Sequence, residues 1–576
     1  MLNKTAITYG LLKDENVNDD HQEKEDALEA TIGNFGKWQL RISVLMSLLK
    51  FPIAWFTLSI IFLAPPTNFW CKPSQKYSNM SDTEWLKISE KNYPRAMKQE
   101  GVNSGYCEMV DIENNPNSTI PCVYGYGYNR TIFSSTIITE WDLVCGHERL
   151  VELSQMTLMF GVLIGNIFCG IMADKKGRKT VLLWCIISQS VLGTVDSLVP
   201  WYSLFVLLRF LLGIANGGTV VTSFVMCLEV VGGKWRTVVP ILYQIPFGFG
   251  ISIMAGLAYF MRDWRELHLA ISMISSIYFL YGWYDYFSST RTIKRCMPES
   301  PRWLLAVGRK DEAIRILREA AIENKLNQQK FQEAVSGLPT ITKTTKQKAS
   351  FSALFSTREL RKRSFLLYIN WTISGITFYA FSQYLGHVGS NVFLTVATSG
   401  LIAVPGALLC ILLVGRAGRR ATLAGSHLFT ACCFLAVIAV PKGQYSHDWP
   451  RVVLAGCGIT GISISMPALY LWTGELYPTV LRNAGVGTSI MFSRIGSMLA
   501  PVVVALEEFG PHVPLLILAV GACAEGLLVL PLPETKGLAL PDTIEDLEDL
   551  GSLESDEKGY VTVPVRNDDG REEEAE

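Results

Sequence analysis

The sequence predicts an all-α membrane protein whose twelve transmembrane helices form two pseudo-symmetric six-helix bundles. Three observations predict this architecture: an apolar composition, twelve apolar stretches long enough to cross a bilayer, and short motifs that recur in the same order in both halves. The chain has 576 residues, of which 49% are hydrophobic and 18% charged, whereas soluble domains carry about 25% charged residues. The formal net charge of −1 gives no reason to expect a nucleic-acid partner. The apolar composition instead predicts that the lipid bilayer surrounds the protein.

The twelve apolar stretches are each about 20 residues long, which is the length that a helix needs to cross the hydrocarbon core. We number them the first to the twelfth span and place them at residues 40–64, 150–173, 180–199, 202–224, 238–260, 267–287, 364–384, 391–414, 421–440, 451–473, 485–506 and 513–531. A soluble helical protein would not sustain so many runs of this length.

Basic residues are concentrated in alternate links between the spans, as in "KKGRK" at 175–179 and "GRAGRR" at 415–420. Such links favour the cytosolic side, and the polar first residues do not read as a secretory leader. We therefore expect a multi-pass protein of the plasma membrane with both termini in the cytosol. Its predicted parts are a cytosolic tail 1–37, a bundle 38–287, a cytosolic linker with amphipathic helices 288–363, a bundle 364–531 and an acidic cytosolic tail 532–576.

The motifs that recur between the halves stand at matching places. "GIMADKKGRK" follows the second span and "LVGRAGRR" the eighth, while "MPESPRW" follows the sixth and "LPETKG" the twelfth. Glu229 precedes Arg236 by seven residues, and Glu475 precedes Arg482 by seven. Such repeats indicate a duplicated transporter with its binding site at the midplane between the halves.

The same motifs supply candidate cytosolic gate residues. Asp174 in "ADKKGRK" can cap the next helix and pair with a basic neighbour, which would join neighbouring helices in one conformation. The second copy has Gly415 where the aspartate should stand, so we expect the amino-terminal contact to dominate. The predicted gate residues are Asp174, Arg178, Glu229, Arg236, Glu475 and Arg482.

A loop of about 80 residues, 67–147, separates the first two spans and is predicted to be extracellular. It contains three N-x-S/T acceptors, Asn79, Asn117 and Asn129, and four cysteines, Cys71, Cys107, Cys122 and Cys145. We predict that the loop is glycosylated and held by two disulfides. Four cysteines allow three pairings, and the sequence does not choose among them.

Arg494 lies in the middle of the apolar stretch "GTSIMFSRIGSMLAPVVV" of the eleventh span. A charged side chain at that depth costs at least ~2.5–3.5 kcal/mol, so a neutralising group is expected. The acids of that helix, Glu507 and Glu508, are at its outer end. We predict that Arg494 faces the cavity and binds a carboxylate of the substrate; the alternative is a permanent bridge to a protein carboxylate. Its helical face includes Gly487, Ile490, Met491, Ser497 and Met498.

Lys50 raises the same question in the first span, in "LMSLLKFPIAW". Three interpretations stay open: a second contact for an anion, a lysine that has lost its proton through burial, or a partner of Glu525 in the twelfth span.

Several of these motifs resemble a known family over nearly the whole chain. The twelve spans and the "GxxxDKKGRK" loop resemble the major facilitator superfamily, and "PESPRWLL" with "PETKG" narrows the resemblance to the sugar porters and the organic ion transporters. The cysteine-bearing loop closed by "TEWDLVC" and the segment "GELYPTVLRN" are similar to the organic cation, anion and zwitterion transporters, solute carrier family 22. The resemblance implies alternating access without enzymatic chemistry.

The resemblance also bears on the charge of the substrate. In the cation carriers that this chain resembles, carboxylates of the eighth and eleventh spans face the cavity; here Ala403 and Arg494 stand at those positions. Arginine at the second position is similar to the anion and carnitine-type members. Residues matching the family cavity include one amide and several aromatic rings, and the rings could receive an ammonium by cation–π attraction. The candidates are Trp371 and Phe378 of the seventh span, Tyr243 and Gln244 of the fifth, and Tyr470 and Trp472 of the tenth.

The sequence therefore predicts a secondary-active or facilitative transporter of small organic ions, with zwitterions or carboxylates such as carnitine-like compounds and β-alanine first. An organic cation transporter is the alternative, and a sugar porter comes next, although 370–383 of the seventh span is aromatic and apolar rather than rich in amides. A non-transporting membrane receptor or scaffold would leave Arg494 unexplained. No nucleotide-binding loop, cofactor motif or metal cluster is recognisable, and the coupling ion and oligomeric state stay open.

Overall fold

A computed structural model of the chain describes residues 31–33, 35–73, 77, 80, 84–85, 98–99, 105–111, 115–232, 235–281, 297–336, 351–389, 391–441, 443–478, 481–510 and 512–536. The predicted acidic tail, apart from its first residues, and most of the predicted amino-terminal tail lie outside these ranges.

Helices lie within all twelve predicted spans, and residues 282–287 of the sixth span are outside the described part. In the first half these are Lys37–Leu48, Lys50–Leu58 and Ile60–Leu63 for the first span, then Arg149–Lys176, Arg178–Asp196, Tyr202–Glu229, Trp235–Leu242 with Ile245–Phe260, and Trp264–Ser275. In the second half they are Arg358–Val388, Val392–Ala417, Arg419–Ala439, Trp449–Leu476, Arg482–Ala505 and Val513–Val529. Among the described residues, eight helices are long and apolar enough to cross a membrane by length and composition alone. The predicted fold class is confirmed.

The fifth span is interrupted at the level where it meets the predicted cavity. Its two helices are separated by Tyr243 and Gln244, and Pro246 lies in the first turn of the second helix. Proline has no N–H to donate to the carbonyl four residues earlier, so the helical ladder is broken there. Interrupted spans of transporters commonly line the substrate site.

Two glycine turns show the pseudo-symmetry of the halves at atomic detail. Gly177, between the second and third spans, has φ of 105°, and Gly418, between the eighth and ninth, has φ of 89°. Side chains rarely adopt such positive φ values. A Cβ at Gly177 would lie 2.5 Å from Glu299 Oε2, and one at Gly418 would lie 2.7 Å from Glu534 Oε2. Both positions therefore require glycine for conformation and for space.

The two halves touch closely where the fifth and eighth spans cross. A Cβ at Gly400 would lie 2.4 Å from the main-chain oxygen of Gly248, and one at Gly248 would lie 2.6 Å from that of Gly400. Ser252 Oγ donates to the main-chain oxygen of Ala397 at 2.8 Å across the same crossing. The backbones of the two halves are thus in direct contact there.

The halves share an apolar core at one end of the bundle, which we call the outer end because the cysteine-bearing loop packs there. Phe393 of the eighth span stacks on Phe62 of the first at 5.8 Å and meets Tyr259 of the fifth edge-on at 5.6 Å. At the opposite, inner end the buried side chains fall into two separate clusters, with Ile241 of the fifth span joining the cluster of the second half. The large apolar core that both halves share thus lies at the outer end.

The outer loop forms two small sheets. Strand Phe69–Cys71 pairs in parallel with Gly105–Tyr106 and antiparallel with Tyr126–Tyr128, and Lys98–Gln99 joins the edge; Glu108–Asp111 and Asn115–Pro121 form a separate antiparallel pair. The helix Ile137–Glu140 follows. Two disulfides join Cys71 to Cys122 and Cys107 to Cys145, which selects one of the three possible pairings.

Of the predicted glycosylation sites, Asn129 is exposed, and the hydroxyl of Thr131 donates to its Oδ1 at 2.8 Å. Asn117 lies on a strand but its side chain is outside the described part, as is all of Asn79. Glycosylation stays a prediction for all three.

The described part of the linker between the halves contains the helices Pro301–Val307, Lys310–Glu323 and Gln328–Ser336. Lys310–Glu323 is the amphipathic segment predicted in "DEAIRILREAA" and buries Ile316 and Leu317. Glu323 pairs with Arg41 at the start of the first span at 3.1 Å, so the linker is fixed to the inner end of the first half.

Candidate functional site

A cavity of about 230 Å³ lies between the two halves, at the middle of the spans. Helices of both halves line it, including the first, second, fourth and fifth spans on one side and the seventh, eighth, tenth and eleventh on the other. Its wall is largely apolar, and the charged side chains that line it among the described residues are Lys50 and Arg494. The structure therefore has a cavity at the interface of the repeats, where the sequence predicts a binding site.

Arg494 is 8% exposed and is held by one residue from each half. Its Nη1 donates to the hydroxyl of Tyr379 at 2.5 Å. In the amide orientation that satisfies both ends of Asn166, Asn166 Oδ1 accepts from Arg494 Nε at 3.3 Å and its amide nitrogen donates to the carbonyl of Gly217 at 2.8 Å. A guanidinium has five N–H groups, so these neighbours orient it without using its full capacity.

The position of Arg494 follows from the helical periodicity of the eleventh span. Gly487, Ile490 and Met491 line the cavity with it, as expected for residues spaced by three, four and seven along a helix. Ser497, which was placed on the same face, is instead buried and donates to the main-chain oxygen of Arg494 at 2.7 Å. Met498 packs against the core shared by the halves at the outer end. The small residue Gly487 leaves space beside the charge.

Ala403 of the eighth span also lines the cavity. The two positions at which related cation carriers are expected to place carboxylates thus both face this cavity, one as an alanine and one as an arginine. Within the described part of the chain, no aspartate or glutamate lines the wall.

Lys50 lines the same cavity and is 6% exposed. Its Nζ lies 4.5 Å from the ring centre of Tyr243 and 5.9 Å from that of Phe247. The proposed pairing with Glu525 is wrong, because Glu525 Oε2 lies 3.1 Å from His427 Nδ1, between the ninth and twelfth spans. Lys50 is therefore a cavity residue whose neighbours are aromatic faces.

Four of the predicted aromatic and amide residues line the cavity, and two do not. Phe378, Tyr243, Gln244 and Tyr470 are on the wall. Trp371 and Trp472 are completely buried behind it. Trp371 packs edge-on against Tyr470 at 4.5 Å and donates from Nε1 to Thr473 Oγ1 at 3.0 Å, so it supports a wall residue instead of meeting a ligand.

Sequence reasoning missed further wall residues. Tyr379 is adjacent to the predicted Phe378, and Asn166 and Asn216 bring amides from the second and fourth spans. Phe247 packs on Phe378 at 6.0 Å. The available signal was the polar residue inside an apolar span, which identifies both asparagines by the same rule that identified Arg494.

The predicted gate residues of the first half form a compact cluster at the inner end. Arg178 Nη2 lies 2.8 Å from Asp174 Oδ1 and 3.1 Å from Glu229 Oε1, which joins the second, third and fourth spans. Glu299, from the motif "MPESPRW", accepts from the main-chain N–H of Lys179 at 3.1 Å. A carboxylate at the first turn of a helix stabilises that turn through its N–H groups.

The second half repeats this cluster with Arg419, which the sequence analysis did not select. Arg419 Nη2 lies 2.9 Å from Glu475 Oε1, and Glu534 accepts from the main-chain N–H groups of Arg419 and Arg420 at 2.9 Å each. Burial raises the pKa of Glu534, but four main-chain N–H donors together outweigh it and hold that pKa below its ordinary value. The second contact is therefore present despite Gly415.

Arg482 is half-buried at the start of the eleventh-span helix, and the side chain of Arg236 is outside the described part. The contacts found in each cluster join helices within one half. A role of these residues in gating stays a prediction.

Comparison with known proteins agrees with the fold. Residues 106–546 match the family model "Sugar (and other) transporter". The chain is similar to solute carrier family 22 member 3 of Rattus norvegicus, with 33% identity over 90% of this chain and 95% of that protein. It is also similar to the organic cation transporter protein of Drosophila melanogaster, with 32% identity over 90% and 94%.

Solved structures show the same fold. The inward-open conformation of the xylose transporter XylE from E. coli matches with a TM-score of 0.57 and 15% identity, over 89% of this chain and 99% of that one. Its partially occluded inward-open conformation matches with a TM-score of 0.55 and 15% identity, over 87% and 100%. At this identity the likeness concerns the fold alone.

Proposed function

We propose, from the premise that this chain belongs to solute carrier family 22 of the major facilitator superfamily, that it carries small carboxylates and zwitterions across the membrane. Proteins of this kind are transporters and not enzymes, and the chain is a multi-pass membrane transporter of that kind. Its substrate is not fixed by family membership, so the proposal rests on the chemistry of the cavity.

The observation that carries the proposal is the charge of the cavity wall. Arg494 and Lys50 are the charged residues that line it in the described part of the chain, and neither has a carboxylate beside it on that wall. Guanidinium groups bind carboxylates through parallel N–H···O bonds, and the low dielectric of a buried site strengthens that attraction. A carboxylate bound here would neutralise a charge that the protein leaves uncompensated on this wall.

Aromatic faces of the cavity wall would bind the ammonium end of a zwitterion. Phe378, Tyr243 and Tyr470 line the cavity, and each ring can attract an ammonium by ~0.5–2 kcal/mol. The volume of about 230 Å³ is below the 300–1,000 Å³ of sites for drug-sized ligands. A carnitine-like compound or a small amino acid such as β-alanine satisfies charge, rings and size together.

Transport would proceed by alternating access. The two halves share their core at the outer end and have separate clusters at the inner end, so reversal of this closure would expose the cavity to the other side. The charge clusters around Arg178 and Arg419 would act as the gate at the inner end by fixing the helices of each half. Substrate binding shifts such an equilibrium only by its differential affinity for the conformations. We place the protein in the plasma membrane with both termini in the cytosol.

An organic cation is the second candidate. One similar protein is named an organic cation transporter, and the aromatic wall suits a cation. The permanent positive charge of Arg494 on the same wall opposes it, because like charges in a low dielectric repel.

The test is uptake by liposomes that contain the purified chain, with labelled carnitine, β-alanine, succinate and tetraethylammonium at equal concentration. We expect saturable uptake of one or more carboxylate-bearing compounds and little uptake of tetraethylammonium. Preference for tetraethylammonium would refute the proposed substrate class and favour the cation alternative. Absence of saturable uptake for the whole panel would refute the proposed function.

A further inference from the structure

A second group of ionisable side chains is buried in the first half, away from the cavity wall. Asp196 of the third span, Arg209 of the fourth and His268 of the sixth are each 0% exposed. His268 Nε2 lies 3.2 Å from Asp196 Oδ2. Arg209 interacts electrostatically with Asp196, and we call these three residues the Asp–Arg–His cluster. Burying ionisable groups in a membrane protein is costly, and such groups commonly serve proton or ion pathways.

The polar capacity of this cluster is only partly used by the surrounding protein. Apart from the two atoms of the His268–Asp196 contact, Asp196 Oδ1, His268 Nδ1, and Nε and Nη1 of Arg209 have no hydrogen-bond partner within the described residues. Buried polar atoms are ordinarily hydrogen-bonded, so four such atoms require an explanation. The cluster therefore has room to take up a proton without displacing an existing hydrogen bond.

Aromatic side chains close the cluster off. The ring of Phe56 meets the imidazole of His268 edge-on at 5.8 Å, and the guanidinium carbon of Arg209 lies 5.5 Å from the ring centre of Phe205. Phe205 in turn packs against Trp264 at 5.5 Å. A change of charge in this cluster therefore acts on neighbouring charged groups through a medium of low dielectric.

A short chain of hydrogen bonds connects the cluster to the cavity. Arg209 Nη2 donates to Gln155 Oε1 at 2.7 Å, and Gln155 Nε2 donates to the main-chain oxygen of Thr57 at 3.0 Å. Asn216 Nδ2 donates to Thr57 Oγ1 at 2.8 Å. Thr57 and Asn216 both line the cavity. Gln155 is therefore the one side chain between Thr57 of the cavity wall and Arg209 of the cluster.

We propose that Asp196 and His268 form a proton-binding site, and that transport of a carboxylate-bearing substrate is coupled to one proton bound and released there. This inference rests on the proposed function. The other ionisable groups that interact around the cluster are Tyr202 of the fourth span, next to Arg209, and Glu152 of the second, next to Tyr202.

The coupling follows from the hydrogen-bond chain. A proton bound between Asp196 and His268 changes the charge that Arg209 faces, and Arg209 is linked through Gln155 to Thr57 of the cavity wall. A substrate that favours the arrangement of this chain in the protonated state also favours the bound proton. Substrate and proton then raise each other's affinity by the same factor. The proton is taken from water on the side of uptake and returned to water on the other side.

The second half contains a pair of the same chemistry that serves as a control. His427 Nδ1 lies 3.1 Å from Glu525 Oε2, and both residues are buried. The hydrogen bond described for this pair, from Asn370 Nδ2 to the main-chain oxygen of Glu525 at 3.2 Å, does not lead to a residue of the cavity wall. This pair should not couple to the substrate.

The experiment uses liposomes that contain the full chain and a pH-sensitive dye in the lumen, with labelled β-alanine or succinate added outside at equal pH. We expect substrate-dependent acidification of the lumen, and a several-fold faster initial uptake when the outside pH is lowered from 7.5 to 5.5. Asp196→Asn and His268→Gln should each remove both effects, while His427→Gln should retain both. Monodisperse elution in size-exclusion chromatography shows that each variant is folded.

Uptake of labelled substrate without acidification in the wild type would overturn the coupling while leaving the proposed function intact. Acidification that persists in folded Asp196→Asn and His268→Gln would overturn the assignment of the site. Equal loss in His427→Gln would also overturn it, because a general effect of buried pairs would then explain the result. Absence of uptake for every labelled compound would instead refute the proposed function.

Discussion

Replacing Arg494 by glutamine removes the charge that we assign to substrate binding and leaves a polar side chain of smaller size. A carboxylate about 4 Å from a unit positive charge gains roughly 4 kcal/mol at an effective dielectric of about 20. Desolvation reduces the net value, and truncation of one partner of a buried charge pair typically costs about 2–5 kcal/mol. We therefore expect uptake of β-alanine by Arg494→Gln to fall by a factor on the order of 30 to 5,000.

The assay compares β-alanine with its amide, which has the same ammonium and nearly the same shape but no carboxylate. In the wild type, β-alanine should be strongly preferred; in Arg494→Gln, the ratio of the two uptake rates should fall close to one. The change in that ratio isolates the interaction between guanidinium and carboxylate, as in a double-mutant cycle. Arg416→Gln, at an exposed position at the inner end of the eighth span, is the matched control and should keep the wild-type ratio.

The reasoning would be refuted if both compounds lost uptake by the same factor in Arg494→Gln. That result would mean that the guanidinium stabilises the cavity wall through Tyr379 and Asn166 and does not contact the substrate.

Three further changes test other parts of the structure. Tyr379→Phe removes the hydroxyl that accepts from the guanidinium of Arg494. A hydrogen bond of this kind contributes about 1.4 kcal/mol, so the half-saturation concentration for β-alanine uptake should rise roughly tenfold. An unchanged half-saturation concentration would contradict this. Glu534→Gln should lower the apparent Tm at pH 7, because the depressed pKa of Glu534 means that its ionised form stabilises the folded protein. This stabilisation is lost as the pH falls through the pKa of Glu534, so the difference in Tm from the wild type should narrow below about pH 4.3. A difference in Tm that is constant with pH would contradict this. Gly400→Val should stop uptake without unfolding the chain, because its Cβ would lie 2.4 Å from a main-chain oxygen of the fifth span. Gly415→Val has no atom within 4 Å of its Cβ and should retain uptake. Equal uptake by the two variants would contradict this.

The fold was predictable because the hydrocarbon core imposes its length on every span, and apolar runs of that length are visible without any tertiary information. Repetition of "GRK" and "GRR" after the second and eighth spans was visible too, and the structure explains it through the positive φ of Gly177 and Gly418. The pairing of the cysteines was not predictable, because Cys71 meets Cys122 only through the pairing of strand Phe69–Cys71 with Tyr126–Tyr128.

The candidate site was predictable where its residues lie on one face of a single helix, because their spacing in the sequence shows this. Arg494, Gly487 and Met491 are such a set. The seventh span was less predictable. Phe378 and Trp371 are seven residues apart, yet Phe378 lines the cavity whereas Trp371 is buried behind the wall. Tyr379, which follows Phe378, faces the guanidinium of Arg494. Contacts between halves, such as Asn166 with Arg494, depend on how the bundles dock and leave no signal in one sequence.

The most direct measurement of the central claim is the ratio of β-alanine uptake to tetraethylammonium uptake in the wild type and in Arg494→Glu. Because the substitution changes the formal charge of the cavity wall by two units, at a position that faces the cavity, the account predicts a ratio well above one in the wild type and an inverted ratio in the variant. A ratio that is the same in both proteins would contradict the assignment of Arg494 as the residue that selects the charge of the substrate.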